Sequence, residues 1–247
     1  MTEKPVIPIV PVPAAVTTPS APPPPPATSN IALIRTLGLV STICGLVIVG
    51  AYQLTFDAVA ANKRQALERA IFKVIPAAKT VVEYVALADG TVKPRDAAAA
   101  AAESAAGVGF YATFDADGQL AGIAAEGGAK GYADMVRIMY GYSPACQCVV
   151  GIGVVSMRET PGIGDKIITD PAFLKNFVAL DVKLNAELKA LANDVKTVKH
   201  GTKTDAWQVD AIAGATITSR AVGKAINDSA QQLLPRLAPH LDQLRKS

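Results

Sequence analysis

The chain has 247 residues, 24 basic and 21 acidic side chains, a formal net charge of +3, 50% apolar residues and a mean hydropathy of +0.29. It is too apolar to be disordered throughout, and its near-balanced charge gives no nucleic-acid footprint. Its length suits one membrane anchor with one medium domain, or two small domains.

Residues 1–30 hold 10 of the 17 prolines and only two charges, Glu3 and Lys4. That composition buries too little surface to fold and reads as an extended, disordered tail. Thr36 to Phe56 then gives 21 consecutive uncharged residues. At about 1.5 Å per residue this stretch spans roughly 30 Å, the thickness of a bilayer's hydrocarbon core. We assign residues 31–56 to one transmembrane helix. A buried core helix would alternate with polar positions, and a cleaved signal peptide would begin near residue 1. Gly38, Ser41 and Gly45 share one face, which would let a second transmembrane helix approach. Lys4 and Arg35 precede the span, and Lys63, Arg64, Arg69 and Lys73 follow it. Charge counting alone would therefore put the large domain in the cytoplasm, although long domains are translocated with little regard to such a bias.

Residues 57–78 predict a connecting amphipathic helix, with Ala66, Leu67, Ala70, Ile71 and Val74 on its apolar side and an end near Pro76. Residues 79–247 predict one extramembrane α+β domain. Within it, residues 81–90 and 109–127 read as strands, with Asp115-Ala116-Asp117-Gly118 as a hairpin turn. Asp96 to Gly107, rich in alanine, predicts a short helix. Residues 149–157 are a β-branched run suited to a buried strand. Residues 170–184 read as a helix with Asp170 as N-cap and Pro171 at its first position. The last helix carries Val222, Ala225, Ile226 and Leu233 at helical spacing and is interrupted by Pro235 and Pro239.

Metal-ligand spacing is missing from the sequence. His200 and His240 have no nearby Cys or His partner, and Cys44 lies in the span. Cys146 and Cys148 form a C-x-C pair, too close for an easy disulfide and without the second pair that a structural zinc or four-cysteine cluster needs.

The chemistry is concentrated in Asp205 to Ala225. There, acidic Asp210 precedes a flexible Gly214 between two alanines, and hydroxyls follow at Thr216, Thr218 and Ser219 before a helix. Such a turn leaves Thr216 accessible, and free N–H groups at the helix start favour a phosphate attached to it or beside it. The competing reading is a simple N-cap by Thr218 or Ser219.

The run Asp210-x-x-x-Gly214-Ala215-Thr216, continued by Ile217-Thr218-Ser219-Arg220-Ala221-Val222, resembles the flavinylation motif of the FMN-binding domain family. It is most like the G subunit of the Rnf ion-translocating oxidoreductase complex and the related C subunit of the sodium-pumping NADH:quinone reductase. Glu159-Thr160-Pro161-Gly162-Ile163-Gly164-Asp165 resembles the family's ETPGLG segment beside the flavin. Gly131-Tyr132 resembles the start of its GYGG segment, with Ala133 and Asp134 in place of the two glycines. Ala213 stands where Ser or Thr is usual, and the segment after Asp134 is unlike the usual run.

The resemblance covers roughly residues 31–235 and implies FMN joined to Thr216 through a phosphoester. Threonine is a poor nucleophile with no histidine base near it in sequence, so it would not load itself; the resemblance implies a separate flavin transferase that does. Gly214, Ala215 and Thr218 belong to the attachment motif. Asp210 serves either recognition by the transferase or the turn itself. Glu159, Thr160, Gly162, Gly164 and Tyr132 are implied beside the ring system. The resemblance further implies an electron-carrier subunit in the bacterial inner membrane, with its domain on the periplasmic side. Its partners would be the other membrane subunits of an Rnf-type complex, which moves electrons between ferredoxin and NAD coupled to Na+ or H+ translocation. Three alternatives stand beside this: a C-type subunit of a quinone reductase, a stand-alone anchored flavoprotein feeding an extracytoplasmic reductase, and a non-redox scaffold whose Pro-rich tail recruits partners.

Overall fold

A computed structural model describes residues 29–95 and 107–245. All but the last two residues of the expected tail, and the expected alanine-rich helix before Gly107, lie outside the described residues. Two compact units divide between Phe56 and Asp57.

Helix α1 (Asn30–Val74) contributes to both units. In the first unit its apolar run has a mean hydropathy of 2.1, long and apolar enough to cross a membrane. Hydroxyls within it are satisfied locally: Thr36, Thr42 and Thr55 donate to the carbonyls of Ala32, Gly38 and Ala51 at 2.7–2.8 Å. A segment surrounded by lipid needs this, because no water is there to take the hydrogen bond.

The second unit is built on a seven-stranded antiparallel sheet of order β2-β1-β3-β4-β5-β6-β7. Its strands are β1 (Thr80–Leu87), β2 (Val92–Pro94), β3 (Gly107–Phe114), β4 (Leu120–Lys130), β5 (Met135–Ser143), β6 (Cys148–Ser156) and β7 (Leu180–Asp181). Asp115 makes the expected turn between β3 and β4, its carboxylate accepting from the amides of Asp117 and Gln119. Helices α2 (Lys166–Thr169), α3 (Pro171–Lys175), α4 (Thr216–Leu237) and α5 (Leu241–Leu244) follow. A parallel pair, β8 (Lys196–Val198) with β9 (Gln208–Asp210), completes the fold.

Strand alternation splits the core into two layers. On β4 and β5, Ile123, Ala125, Val136, Ile138 and Tyr140 join the larger core with Val222, Ala225, Ile226 and Leu233 of α4. Ala124 and Met139 face the other way, onto Ala70, Ile71, Val74 and Ile75 at the end of α1. The sheet is thus enclosed by α4 on one side and the last turns of α1 on the other. Glycines set the closest approaches. A Cβ on Gly141 would lie 2.8 Å from the Val74 carbonyl, and one on Gly127 would meet the backbone of Ala225. Tyr140, fully buried, exchanges a hydrogen bond with Ser229 at 3.0 Å, and Ser229 donates to the Glu126 carbonyl at 2.9 Å. Burial pushes the Tyr140 phenol above its ordinary range, only partly offset by Ser229.

Four local expectations change. Ala66 is exposed, so the buried side of α1 begins at Leu67. The helix expected over 170–184 stops at Lys175, because Asn176 is drawn into β9: it donates to the carbonyls of Phe173 and Asp210 and accepts from the Asp210 amide. Pro235 does not interrupt α4, whose neighbouring Leu233, Leu234 and Leu237 are all buried. The missing donor costs one helical bond, and packing holds the helix through it. Finally, Cys146 and Cys148 are joined in a disulfide with Cα atoms 5.2 Å apart. Gln147 at φ 53° turns the chain enough to bring them within disulfide reach.

Candidate functional site

Three segments far apart in sequence converge on one cleft of about 540 Å3. The loop between β4 and β5 supplies Tyr132. The segment after β6 supplies Glu159, Thr160, Ile163 and Gly164. The turn into α4 supplies Gly214, Ala215, Thr216, Ile217 and Thr218.

The turn is made by its sequence. Ala215 donates to the Ile212 carbonyl at 3.0 Å, and Gly214, third of the four residues, takes φ +83°. Only glycine adopts that conformation without strain. Ser219 locks the turn from below: its Oγ donates to the Ala215 carbonyl at 2.9 Å and accepts from the Ile212 amide at 3.0 Å. The N-cap residue of α4 is Ala215, which makes no side-chain cap. Neither Thr218 nor Ser219 caps the helix; both are buried in its first turn. Ser219 N to Ala215 O is the first bond of the helix, so the amides of Thr216, Ile217 and Thr218 precede it and remain available to an anion. Thr216 is half-buried, and among the described residues its hydroxyl makes no hydrogen bond.

Glu159 ties the three segments together. Its Oε1 accepts from the amides of Ala133 and Asp134 at 3.1 and 3.4 Å. Its Oε2 accepts from the Tyr132 amide at 3.3 Å and the Thr218 hydroxyl at 2.7 Å. Glycines leave room for this carboxylate: a Cβ on Gly164 would lie 2.6 Å from Glu159 Cβ, and one on Gly131 would strike Glu159 Oε1. Desolvation pushes the Glu159 pKa up, but the Thr218 hydroxyl and the three amides outweigh it and hold the carboxyl below its ordinary value.

Eight of the ten expected site residues therefore line the cleft, and two do not. Gly162 lies at the tip of the preceding turn with φ +77° and nothing near its absent Cβ, so it serves the turn conformation. Asp210, at the end of β9, lines two adjoining clefts of about 450 and 460 Å3. Its carboxylate accepts from the Gly201 amide at 2.7 Å and stands 3.6 Å from His200. Lys203, whose amine Asp210 favours in its charged form, is nonetheless held below its ordinary pKa, mainly by desolvation. Sequence reasoning missed Ile163 and Ile217, apolar residues that line the cleft and are 49% exposed. Their signal was present: Ile163 is an aliphatic side chain between two glycines of a turn, and Ile217 an aliphatic side chain between two threonines at the start of α4.

The cleft volume falls in the range of about 300–1,000 Å3 usual for small-molecule sites. An unengaged hydroxyl, a helix start with free amides and an apolar rim together fit a flavin mononucleotide. The phosphate end would meet Thr216 and the α4 amides, and the ring system would meet Tyr132, Ile163 and Ile217.

The FMN-binding domain family matches residues 131–231, which contain all three segments of the cleft. The G subunit of the ion-translocating oxidoreductase complex of Aliivibrio fischeri is 34% identical over 178 residues, covering 71% of this chain and 76% of that protein. The chain belongs to this G-subunit family. The corresponding G subunit of Methanosarcina acetivorans is 33% identical over 120 residues, 49% of this chain and 55% of its own length. The chain thus spans about half the length of that relative. Among solved structures, the C subunit of the Na(+)-translocating NADH-quinone reductase from Parabacteroides distasonis superposes with a TM-score of 0.57. That match covers 76% of this chain and 96% of the other at 19% identity, a likeness of fold.

Proposed function

We propose that this chain is a membrane-anchored electron carrier that holds FMN through a phosphoester to the Thr216 hydroxyl. The observation that carries the proposal is the state of Thr216. Its hydroxyl has no partner among the described residues, stands at the first position of α4 and opens on the cleft formed with Glu159 and Tyr132. When bound, FMN supplies a carrier able to take up and release electrons one at a time.

The chain's own residues do the rest. Gly214 leaves the approach to Thr216 open, with no atom within 4 Å of its absent Cβ. The α4 amides favour the phosphate charge. Glu159 keeps the loop carrying Tyr132 against the turn. Among the described residues no base touches Thr216, which supports loading by a separate flavin transferase, and Asp210, at the end of β9 and lining clefts apart from that of Thr216, is the candidate for recognition by it.

Membership of the G-subunit family supports a place among the other membrane subunits of an Rnf-type complex, moving electrons between ferredoxin and NAD with coupled Na+ or H+ translocation. The Cys146–Cys148 disulfide supports an extracytoplasmic domain, since disulfides persist in oxidising compartments.

The test is flavin fluorescence after denaturing electrophoresis of protein made together with a flavin transferase. The wild-type chain and Thr218→Ala are expected to fluoresce and Thr216→Ala to be dark, with peptide mass spectrometry placing FMN on Thr216. A dark wild-type band, or a fluorescent Thr216→Ala band, would overturn the proposal.

A further inference from the structure

The C-x-C disulfide lies at the tip of the hairpin joining β5 and β6. It closes a loop of only three residues, so it removes little chain entropy from the unfolded state. The pairing beside it is secured without it. Tyr142 pairs with Val149 and Ser143 with Cys148, and the Gln147 carbonyl accepts from the Val182 amide at 3.2 Å. The bond therefore adds little as a cross-link. Its two ends differ in access: Cys146 is exposed, while Cys148 is 6% exposed. Solvent-exposed disulfides are the ones external thiols reach and reduce. Gln147 between them holds φ 53°, uncommon for a residue with a side chain.

We propose that Cys146–Cys148 is a thiol–disulfide exchange site for a protein dithiol, entered at Cys146. A thiolate of the incoming dithiol attacks Cys146 Sγ, the S–S bond breaks, and its electron pair leaves on Cys148 Sγ, which takes up a proton. The second thiolate of the dithiol then attacks its own sulfur in the mixed disulfide and releases Cys146 as a thiolate, which is protonated. The pair gains two electrons and two protons, and the partner is oxidised to a disulfide. The site works apart from the FMN cleft. The cysteines follow the Ser143 end of β5 and Tyr132 precedes the Met135 end, roughly 25 Å away at about 3.3 Å per residue.

The test uses the full-length protein in detergent with two probes, dithiothreitol and glutathione, followed by alkylation and peptide mass spectrometry. Dithiothreitol at millimolar concentration is expected to reduce the pair in the folded protein within minutes. Reduced glutathione is expected to form its adduct on Cys146 at least tenfold in excess over Cys148. With oxidised glutathione, Cys148→Ser should form the mixed disulfide at least tenfold faster than Cys146→Ser. A pair that resists reduction until denaturant is added, or an adduct mainly on Cys148, would overturn the proposal. FMN on Thr216 is followed in the same sample. Its absence with exchange intact counts against the flavin proposal alone, and its presence with a resistant pair counts against exchange alone.

Discussion

Four donors surround the Glu159 carboxylate, three from one loop and one from α4, and they make its charge part of the fold. In the unfolded chain this carboxyl titrates near the ordinary value of about 4.3. In the folded chain it titrates lower, because the Thr218 hydroxyl and the amides of residues 132–134 outweigh its desolvation. As pH falls, the unfolded chain binds the proton first. The contribution of Glu159 is therefore intact above the ordinary value and is lost as pH falls through the lower folded pKa. Denaturant midpoints measured between pH 7 and pH 3 should show a steeper acid loss for the wild-type chain than for Glu159→Gln. Equal slopes would show that the latch contributes nothing. Thr218 supplies the shortest of the four bonds, at 2.7 Å, and is 2% exposed. Thr218→Val should destabilise the domain by about 1–2 kcal/mol, a bond to a charged acceptor lost with the acceptor still partly satisfied. Thr218→Ser should retain most of the stability, and thermal unfolding distinguishes the two. The types and order of these residues were legible in the sequence, since the two segments carrying Glu159 and Thr218 stand out by resemblance. Their contact was not legible. It joins residues 59 positions apart, and no local periodicity encodes a separation of that kind.

Among the elements, α4 does two jobs, and its sequence divides accordingly. Its first turn presents Thr216 to the cleft, while Val222, Ala225, Ile226, Ala230 and Leu233 bury the turns after it against the sheet. The site's geometry thus depends on how closely α4 seats on β4. Gly127 sets that distance, because any Cβ there would meet the Ala225 carbonyl, which is backbone and cannot rotate away. Gly127→Ala should cost about 1–3 kcal/mol by overpacking. It should also lower the yield of FMN attached at Thr216 if the seating of α4 positions the attachment turn. Chemical denaturation reads the first effect and peptide mass spectrometry the second. The α4 pattern was legible because its apolar spacing is regular. The helix expected over 170–184 was misread for the opposite reason. Its apolar residues keep a helical rhythm, yet buried Asn176 makes its bonds to Asp210, 34 residues later, and those bonds end α3. The C-x-C pair was misread in the same way, since spacing alone does not reveal that Gln147 takes a positive φ.

For the whole molecule, two physical signals disagree about which side of the membrane carries the sheet. The basic residues Arg64, Arg69 and Lys73 come after the apolar run of α1, and the positive-inside rule applied to them would retain the domain in the cytoplasm. That rule takes its force from short loops, whereas the chain beyond Phe56 forms a compact unit from Asp57 to Ser247. Long domains cross largely regardless of such charges. The Cys146–Cys148 disulfide points to an oxidising compartment and does not depend on loop length. Export of the domain is the expected outcome. Alkaline phosphatase fused after Ser247 should be active in whole cells, because that enzyme needs its own disulfides, whereas a β-galactosidase fusion at the same point should be inactive. Protease added to spheroplasts should digest the domain without detergent. An inactive phosphatase fusion together with a protected domain would place the sheet in the cytoplasm, where a reducing thiol pool would be expected to hold Cys146 and Cys148 as free thiols.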